Sequence, residues 1–334
     1  MLKAKVSVII PAYNKASYIA RAIDSVLLQK YANTEIIIVD DGSTDETPLV
    51  VERYSKYVKY LQQDNAGPGA ARNRGVQESS GKYLAFLDAD DYWLEGFLEH
   101  TVKFLEEHPD VDVVSTAYFK KRSNEVIRWP PVEKEPAESV ISDFFLAYAR
   151  SPHFCWTGSV IVRRDAFLNV GGFRTDLPTG EDIELWCCLG ATTRWGYIPI
   201  PLAVYDQTVP TSLMRRPLPE RKHVTYDLSH WERRVVKLLN QNNWRSYQRV
   251  RWNLLVEQIR LRIALQEYDR VKALTHIYSR EFEAFKRLIL IILSMCPSWS
   301  LHIGRWIYYV AKKRFGYLKE SNDGKDNEDN NMRS

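Results

Sequence analysis

Cysteine is scarce in this chain of 334 residues. The four present, Cys155, Cys187, Cys188 and Cys296, show no Cys-x-x-Cys spacing and no disulfide-framework pattern, which points to a reducing compartment. Long apolar runs are lacking too. The most apolar segment, Leu288 to Met295 (LILIILSM), is far below the roughly twenty residues needed to cross a bilayer. The N-terminal MLKAKVSVIIPAYN meets Pro11 and polar residues too soon for a signal peptide and reads as a first strand, so a cytoplasmic protein is expected. A Gly-rich, Lys-bearing phosphate loop is also missing. Charge is uneven: residues 1–210 hold 22 Lys+Arg against 29 Asp+Glu, a net of −7, whereas residues 211–334 hold 24 against 13, a net of +11. This shift argues for a domain boundary near 210 and gives the C-terminal part a surface suited to anionic lipid, phosphate or nucleic acid. The large apolar residues interspersed there favour packing or a membrane over nucleic acid.

Short apolar runs alternate with helical patterns. Val6–Ile10, Glu35–Val39, Val58–Leu61 and Tyr83–Leu87 read as buried strands, and Val111–Phe119 as a further one. Between them, Ile19, Ala22, Ile23, Val26 and Leu27 recur at helical spacing, with Asn14 and Ser17 available as caps. A second helix is expected to run to about Lys56, and the glycines of QQDNAGPGAARNRGV precede a third that carries Arg72 and Arg74. Such alternation implies βαβ units, a parallel sheet covered on both faces, and ligands bound beyond the carboxyl ends of the strands.

What ends the strands is acidic. KYLAFLDADDYW runs into Asp88, Asp90 and Asp91, whose mutual repulsion calls for something positive, and a divalent cation with oxygen ligands answers it. Asp91 is expected to cap the following helix. EIIIV ends in Asp40 and Asp41, and the first strand ends in Pro11, Ala12, Tyr13 and Asn14, read as a loop. Tyr13, Asp40, Asp41, Arg72, Asp88 and Asp90 should therefore line one cleft. Further on, Glu181 and Asp182 start a helix after a loop rich in Gly and Pro. Helix capping alone would account for this pair, but a positioned loop also suits a site.

Taken in order, VSVIIPAYN, EIIIVDDGSTDET, QDNAGPGAARNRGV, GKYLAFLDADD and TGEDIELW resemble the signatures of family 2 glycosyltransferases with the GT-A fold, a Rossmann-like α/β architecture, over about residues 4–206. The resemblance implies inverting transfer of a sugar from a nucleotide diphosphate donor to an acceptor hydroxyl. It implies Asp90 as ligand of Mg²⁺ or Mn²⁺, with Asp88 near the ribose and the metal. It also implies Asp182 as general base, with Glu181 as the alternative. Pro11, Ala12 and Tyr13 would line the nucleotide pocket, where Tyr13 can pack on a base and Asp40 or Asp41 can accept its N–H; Arg72 and Asn73 can hold base or phosphate oxygens.

Two departures stand out. The Gln-x-x-Arg-Trp motif of processive members is absent, since Ala191-Thr192-Thr193 precedes Arg194-Trp195, so addition of a single sugar is expected. In place of the late His of many members stands Tyr205-Asp206-Gln207-Thr208, followed by Ser212, Arg215 and Arg216, either arginine able to face a diphosphate. Beyond Pro217 the pattern is helical through Trp231, Val235, Leu238, Trp252, Leu255 and Ile259. Residues 286–318, with Lys286-Arg287, Trp299, Trp306, Tyr308, Tyr309 and Lys312-Lys313-Arg314 around the apolar run, resemble an interfacial membrane anchor, and the polar tail 319–334 reads as disordered. An acceptor linked to lipid or to a cell-surface glycan fits such an anchor. The rivals are a nucleotidyltransferase, which would release pyrophosphate, and a non-catalytic nucleotide-sugar binding module.

Overall fold

The computed structural model describes residues 4–131, 139–177, 179–209, 228–265 and 267–278. Ser212, Arg215, Arg216, the expected interfacial segment 286–318 and the tail 319–334 lie outside the described residues. The first half alternates as expected: β1 (Val6–Ala12), α1 (Ile19–Leu27), β2 (Thr34–Asp40), α2 (Thr47–Glu52), β3 (Val58–Gln62), α3 (Pro68–Gln77) and β4 (Tyr83–Phe86). Then follow β5 (Tyr92–Trp93), α4 (Phe97–Glu107), β6 (Val113–Arg122), β7 (Glu125–Trp129), β8 (Val140–Ile141), α5 (Phe144–Arg150), β9 (Val160–Arg163), α6 (Arg164–Asn169), α7 (Glu181–Thr192) and β10 (Trp195–Asp206). Four helices follow: α8 (Leu228–Trp231), α9 (Arg233–Leu238), α10 (Gln241–Ala264) and α11 (Tyr268–Tyr278).

The strands form one sheet in the order β3-β2-β1-β4-β9-β6-β10-β5, with β7 beside β6 and β8 beside β10. From β3 to β4 every pairing is parallel. Beyond β4 the sheet is mixed: β9 runs antiparallel to both β4 and β6, while β10 returns parallel to β6. The parallel part needs long crossovers, and α1, α2 and α3 supply them; the β6–β7 hairpin closes through Ser123 and Asn124 alone.

Strand periodicity sorts the core. Along β1, Val6, Val8 and Ile10 join Ile19, Ala22, Ile23 and Val26 of α1 and Phe97, Leu98, Val102 and Leu105 of α4 in the main core. Ile9 points the other way, toward Gly75 of α3, where an added Cβ would come within 2.4 Å of the Ile9 side chain. Truncating a residue such as Ile23 to Ala would cost about 2–5 kcal/mol.

Several local expectations change. Pro11 and Ala12 belong to β1, not to a loop; at that level β1 pairs only with β2, because its register with β4 ends at Ile9, so the missing Pro11 N–H leaves no gap in a ladder. Neither Asn14 nor Ser17 caps α1, which begins after Tyr18; the Asn14 carboxamide instead accepts the Thr44 N–H at 2.8 Å and so ties the β1 loop to the β2 loop. Helix α2 stops at Glu52, short of Lys56. Asp91 does not cap a helix: α4 starts after Gly96, and the Asp91 carboxylate is buried, accepting the Asp206 N–H at 2.7 Å.

The chain divides into two compact units, Met1–Asn253 and Leu254–Ser334. In the first, α8 and α9 follow the sheet; in the second, the described residues include α11 and an Arg262–Glu267 ion pair of 2.9 Å. Among the described residues no helix is long and apolar enough to cross a membrane.

Candidate active site

Beyond β4 the chain places three acids in four residues. Asp88 Oδ1 accepts from the Arg72 guanidinium at 2.6 Å, and Asp90 Oδ2 from Lys15 Nζ at 2.6 Å. Burial raises the Asp90 carboxyl above its ordinary range; Lys15 opposes that and Asp88 adds to it. Burial, then Asp90 and Asp88, push Asp91 well above its usual value, and its Oδ2 is buried with no hydrogen-bond partner. The backbone carbonyl of Asp90 accepts from Arg21, which also pairs with Asp206 at 2.7 Å. The end of β10 is thereby fastened to the acidic turn.

Arg72 joins this turn to the start of α7. It projects from α3, is almost wholly buried, and gives its second amino group to Glu181 Oε1 at 2.8 Å. Burial opposes its charge, but Asp88 and then Glu181 outweigh it and hold the guanidinium above its usual value. The Phe173 ring lies 5.2 Å from its centre. Helix α3 approaches this loop closely at Gly69, where a Cβ would sit 2.7 Å from the Arg174 carbonyl oxygen. A side chain there would push Arg72 away from its partners.

Gly180 precedes α7 with φ +75°, a conformation that favours glycine, and turns Glu181 and Asp182 into the first helical turn. Free backbone N–H groups and the helix dipole favour negative charge at that place. Burial, then Asp182, raise the Glu181 carboxyl, with Arg72 opposing. Asp182 is less enclosed; its Oδ2 accepts from the Thr157 hydroxyl at 3.0 Å. Two residues from α8 and α9 grip the same loop. Trp231 Nε1 donates to the Gly180 carbonyl at 2.8 Å, and Arg234 pairs with the fully buried Glu184 while donating to the Val170 and Gly172 carbonyls at 2.9 and 2.8 Å.

Other expected site residues have structural engagements of their own. Asp40 accepts from the Ser43 N–H at 2.8 Å and the Tyr60 hydroxyl at 2.6 Å, and Asp41 from the Ala66 and Gly67 N–H groups at 2.9 and 2.8 Å. Both carboxylates shape the loops after β2 and β3. Asn73 exchanges two hydrogen bonds with the Phe173 backbone, at 2.7 and 3.0 Å. Ala12 is buried and its carbonyl accepts the Asp41 N–H at 2.8 Å, while Tyr13 presents a ring that is 44% exposed. Thus Arg72, Asp88, Glu181 and Asp182 form one chain of contacts, Asp90 joins it through the acidic turn, and Asp40, Asp41 and Asn73 support it. Sequence reasoning missed Lys15, Arg21, Thr157, Asp206, Trp231 and Arg234. Lys15 was legible as a cation just past a strand end; Thr157 and Trp231 carried no local signal.

The acid set fits a divalent cation. Lys15 donates to one oxygen of Asp90 and Arg72 to one oxygen of Asp88. With the orphaned Asp91 Oδ2 and the upward shifts of Asp90 and Asp91, the turn holds more negative charge than its own cations neutralise. Among the described residues no group of three or more His, Cys, Asp or Glu could hold a metal by itself, so such an ion would complete its shell from a ligand.

Residues 7–171 match the family model described as glycosyl transferase family 2. An uncharacterized glycosyltransferase of Rickettsia prowazekii is 33% identical over 184 residues, 54% of this chain and 57% of that protein. The putative teichuronic acid biosynthesis glycosyltransferase TuaG of Bacillus subtilis is 43% identical over 110 residues, 31% of this chain and 43% of its own length. The chain thus spans about half or less of the curated relatives it matches. The crystal structure of Staphylococcus aureus TarS residues 1–349 in complex with UDP-GlcNAc superposes with a TM-score of 0.58 at 18% identity, over 95% of this chain and 93% of that one. That likeness carries the fold, which is GT-A. The ordered strand-end motifs, the sheet they terminate and the family match agree, and residues 7–171 of the chain belong to glycosyl transferase family 2.

Proposed function

We propose that the chain is an inverting glycosyltransferase that moves one sugar from a nucleotide diphosphate sugar to an acceptor hydroxyl. The observation that carries this reading is the series Asp88–Arg72–Glu181–Asp182, in which one buried guanidinium ties the acidic turn to the start of α7 at 2.6 and 2.8 Å. Leaving-group site and proton acceptor are then held in one cleft. Inversion needs them on opposite sides of the reacting carbon, and fixed placement lowers the barrier more than basicity alone.

In this reading Asp182 takes the proton of the acceptor hydroxyl as its oxygen attacks the anomeric carbon. The bond from that carbon to the diphosphate breaks, and its electron pair leaves on the phosphate oxygen. Thr157 orients Asp182, and Arg72 with Glu181 fixes the helix start. Mg²⁺ or Mn²⁺ held by Asp90 and Asp88 would offset the charge of the departing diphosphate. Tyr13 offers an open ring face to the nucleobase, and Asp40, Asp41 and Asn73 keep the surrounding loops in shape. The intact acid series favours this over a non-catalytic binding module.

Relatives named for minor teichoic acid and teichuronic acid biosynthesis support a cell-surface glycan as the product. We place the reaction at the cytoplasmic face of the membrane, with residues 286–318 as a peripheral contact; indifference to anionic liposomes with or without that segment would remove this part. The central test is a screen of nucleotide sugars for metal-dependent nucleotide release, beginning with UDP-GlcNAc, the ligand of TarS. Release expected from the native protein and lost in Asp182→Asn supports the reading. Pyrophosphate released from a nucleoside triphosphate would favour nucleotidyl transfer instead, and no turnover of any nucleotide sugar would sink glycosyl transfer.

A further inference from the structure

Several buried or half-buried cations among the described residues have anionic partners. Arg72 has Asp88 and Glu181, Arg234 has Glu184, Arg251 has Glu232, and Lys15 has Asp90. Lys120, near the carboxyl end of β6, is half-buried and has no carboxylate among the described residues. Its ammonium faces rings: the centroid of Trp129 is 3.4 Å from Nζ and that of Tyr118 is 5.8 Å away. A lysine that merely laid its stem on the rings would keep its ammonium hydrated. Burial, then Arg122, bring Lys120 down to about 8, so the ammonium itself is desolvated. Ring faces compensate a desolvated cation only in part. A second donor in the same patch is also unsatisfied, since Trp129 Nε1 is buried without an acceptor.

The patch runs toward the base. In the β6–β10 register Lys120 lies opposite Tyr205. The Tyr205 ring stacks on Trp156 at 5.0 Å and 26°, and Trp156 packs against Tyr118 at 5.1 Å. Trp156 adjoins Thr157, which holds Asp182. His153, whose carbonyl accepts the Tyr118 hydroxyl, feels the charges of both Lys120 and Asp182. A strip of rings therefore connects the unpaired cation to the proposed base, and at Tyr205 it also comes within range of the charges of Asp91 and Asp88.

We propose that Lys120 and Trp129 form an acceptor subsite that binds an anionic group, phosphate or carboxylate, of the acceptor glycan, with Trp156 and Tyr205 as the surface along which the chain reaches Asp182. The inference rests on the glycosyl-transfer reading and names the acceptor class for it. Sugar rings pack on aromatic faces, and a desolvated ammonium makes a strong, charge-assisted hydrogen bond to an anion.

The test uses the full chain and three probes: trigalacturonate, a glycerol phosphate trimer and neutral chitotriose, with affinities measured by calorimetry and UDP affinity measured in parallel. At least one anionic probe is expected to bind more tightly than chitotriose, and the pair of anions separates carboxylate from phosphate recognition. Lys120→Met keeps the stem on Trp129 and removes the charge; it should weaken the preferred anion about ten- to hundredfold with the melting temperature held, and Lys120→Arg should recover most of the loss. Lys59→Met, which removes a surface cation paired with Glu78, is the control for net charge. Equal binding of all three probes, binding of none, or an anion preference that survives Lys120→Met would overturn the proposal. A loss of UDP affinity in Lys120→Met would overturn it as well, by assigning the cation to the donor. Nucleotide-sugar turnover by the native protein stands apart from all of these, so failure of the subsite and failure of glycosyl transfer are distinguishable.

Discussion

Glu35 sits at the amino end of β2, and Asp90, Asp91 and Glu181 sit beyond the carboxyl end of β4 and at the start of α7, yet these buried or half-buried acids are treated in opposite ways. Around Glu35, burial is outweighed by Lys5 at 2.7 Å, the Ser7 hydroxyl at 2.6 Å and the Ser80 N–H at 2.6 Å, and its carboxyl is held down to about 2. At the other end burial prevails, and Asp90, Asp91 and Glu181 are all pushed up. One end uses negative charge to close the fold. The other keeps negative charge that its neighbours do not fully neutralise, as expected where ligand groups complete the balance.

The sharpest break in the comparison is Asp182→Asn. We expect transfer to fall by about 10²–10⁴-fold with the melting temperature and nucleotide affinity unchanged, read from initial rates and a thermal melt; undiminished transfer would move the base elsewhere. Next is Arg72→Met, which leaves Asp88 and Glu181 without their shared cation. Urea unfolding should show a loss of about 3–5 kcal/mol, much of it recovered by also replacing Glu181 with Gln.

Glu35→Gln tests the other end. Because the folded carboxyl titrates at about 2, below its ordinary value of 4.5, its contribution is present above pH ~4.5 and fades as pH falls toward ~2. With Glu35 a quarter exposed, we expect a loss of about 1–2 kcal/mol at neutral pH, and a shallower decline of stability below pH ~4.5 than in the native chain. The acids pushed up have the opposite sign: what they favour is the protonated folded state, and that contribution is lost as pH rises through their raised values. Asp90→Asn should therefore hold or slightly raise the ligand-free unfolding free energy, by less than about 1 kcal/mol, while metal-dependent donor binding is lost. Donor binding of native strength without metal dependence would detach Asp90 from the ion.

Much of this was legible in the sequence because strand-end acids follow abruptly on buried apolar runs, as at Leu87–Asp88 and Val39–Asp40. The run of β4 into Asp88 and Asp90 and the placement of Glu181 and Asp182 at a helix start could be read locally. Asp91 could not: its role depends on the Asp206 N–H, 115 residues away, and no local pattern separates a cap from a long-range acceptor. The antiparallel insertion of β9 was equally hidden, since VIVR has the same composition whichever way it runs. Thr157 and Trp231 act through hydrogen bonds to distant partners, which short-range periodicity does not encode.

The grip of Trp231 on Gly180 and of Arg234 on Glu184 bears on how such enzymes recombine. The family match ends at residue 171, before Asp182 and before both gripping side chains. A crossover after 171 would pair the acidic turn of one protein with the α7 start of another, and one near 210 would leave the loop at Gly180 to foreign helices. The smallest exchangeable piece therefore includes α8 and α9, which belong to the first compact unit, Met1–Asn253. Chimeras that keep these parts together should inherit the proposed donor site and the proposed base as one unit, whereas earlier junctions would have to re-evolve the fit between them.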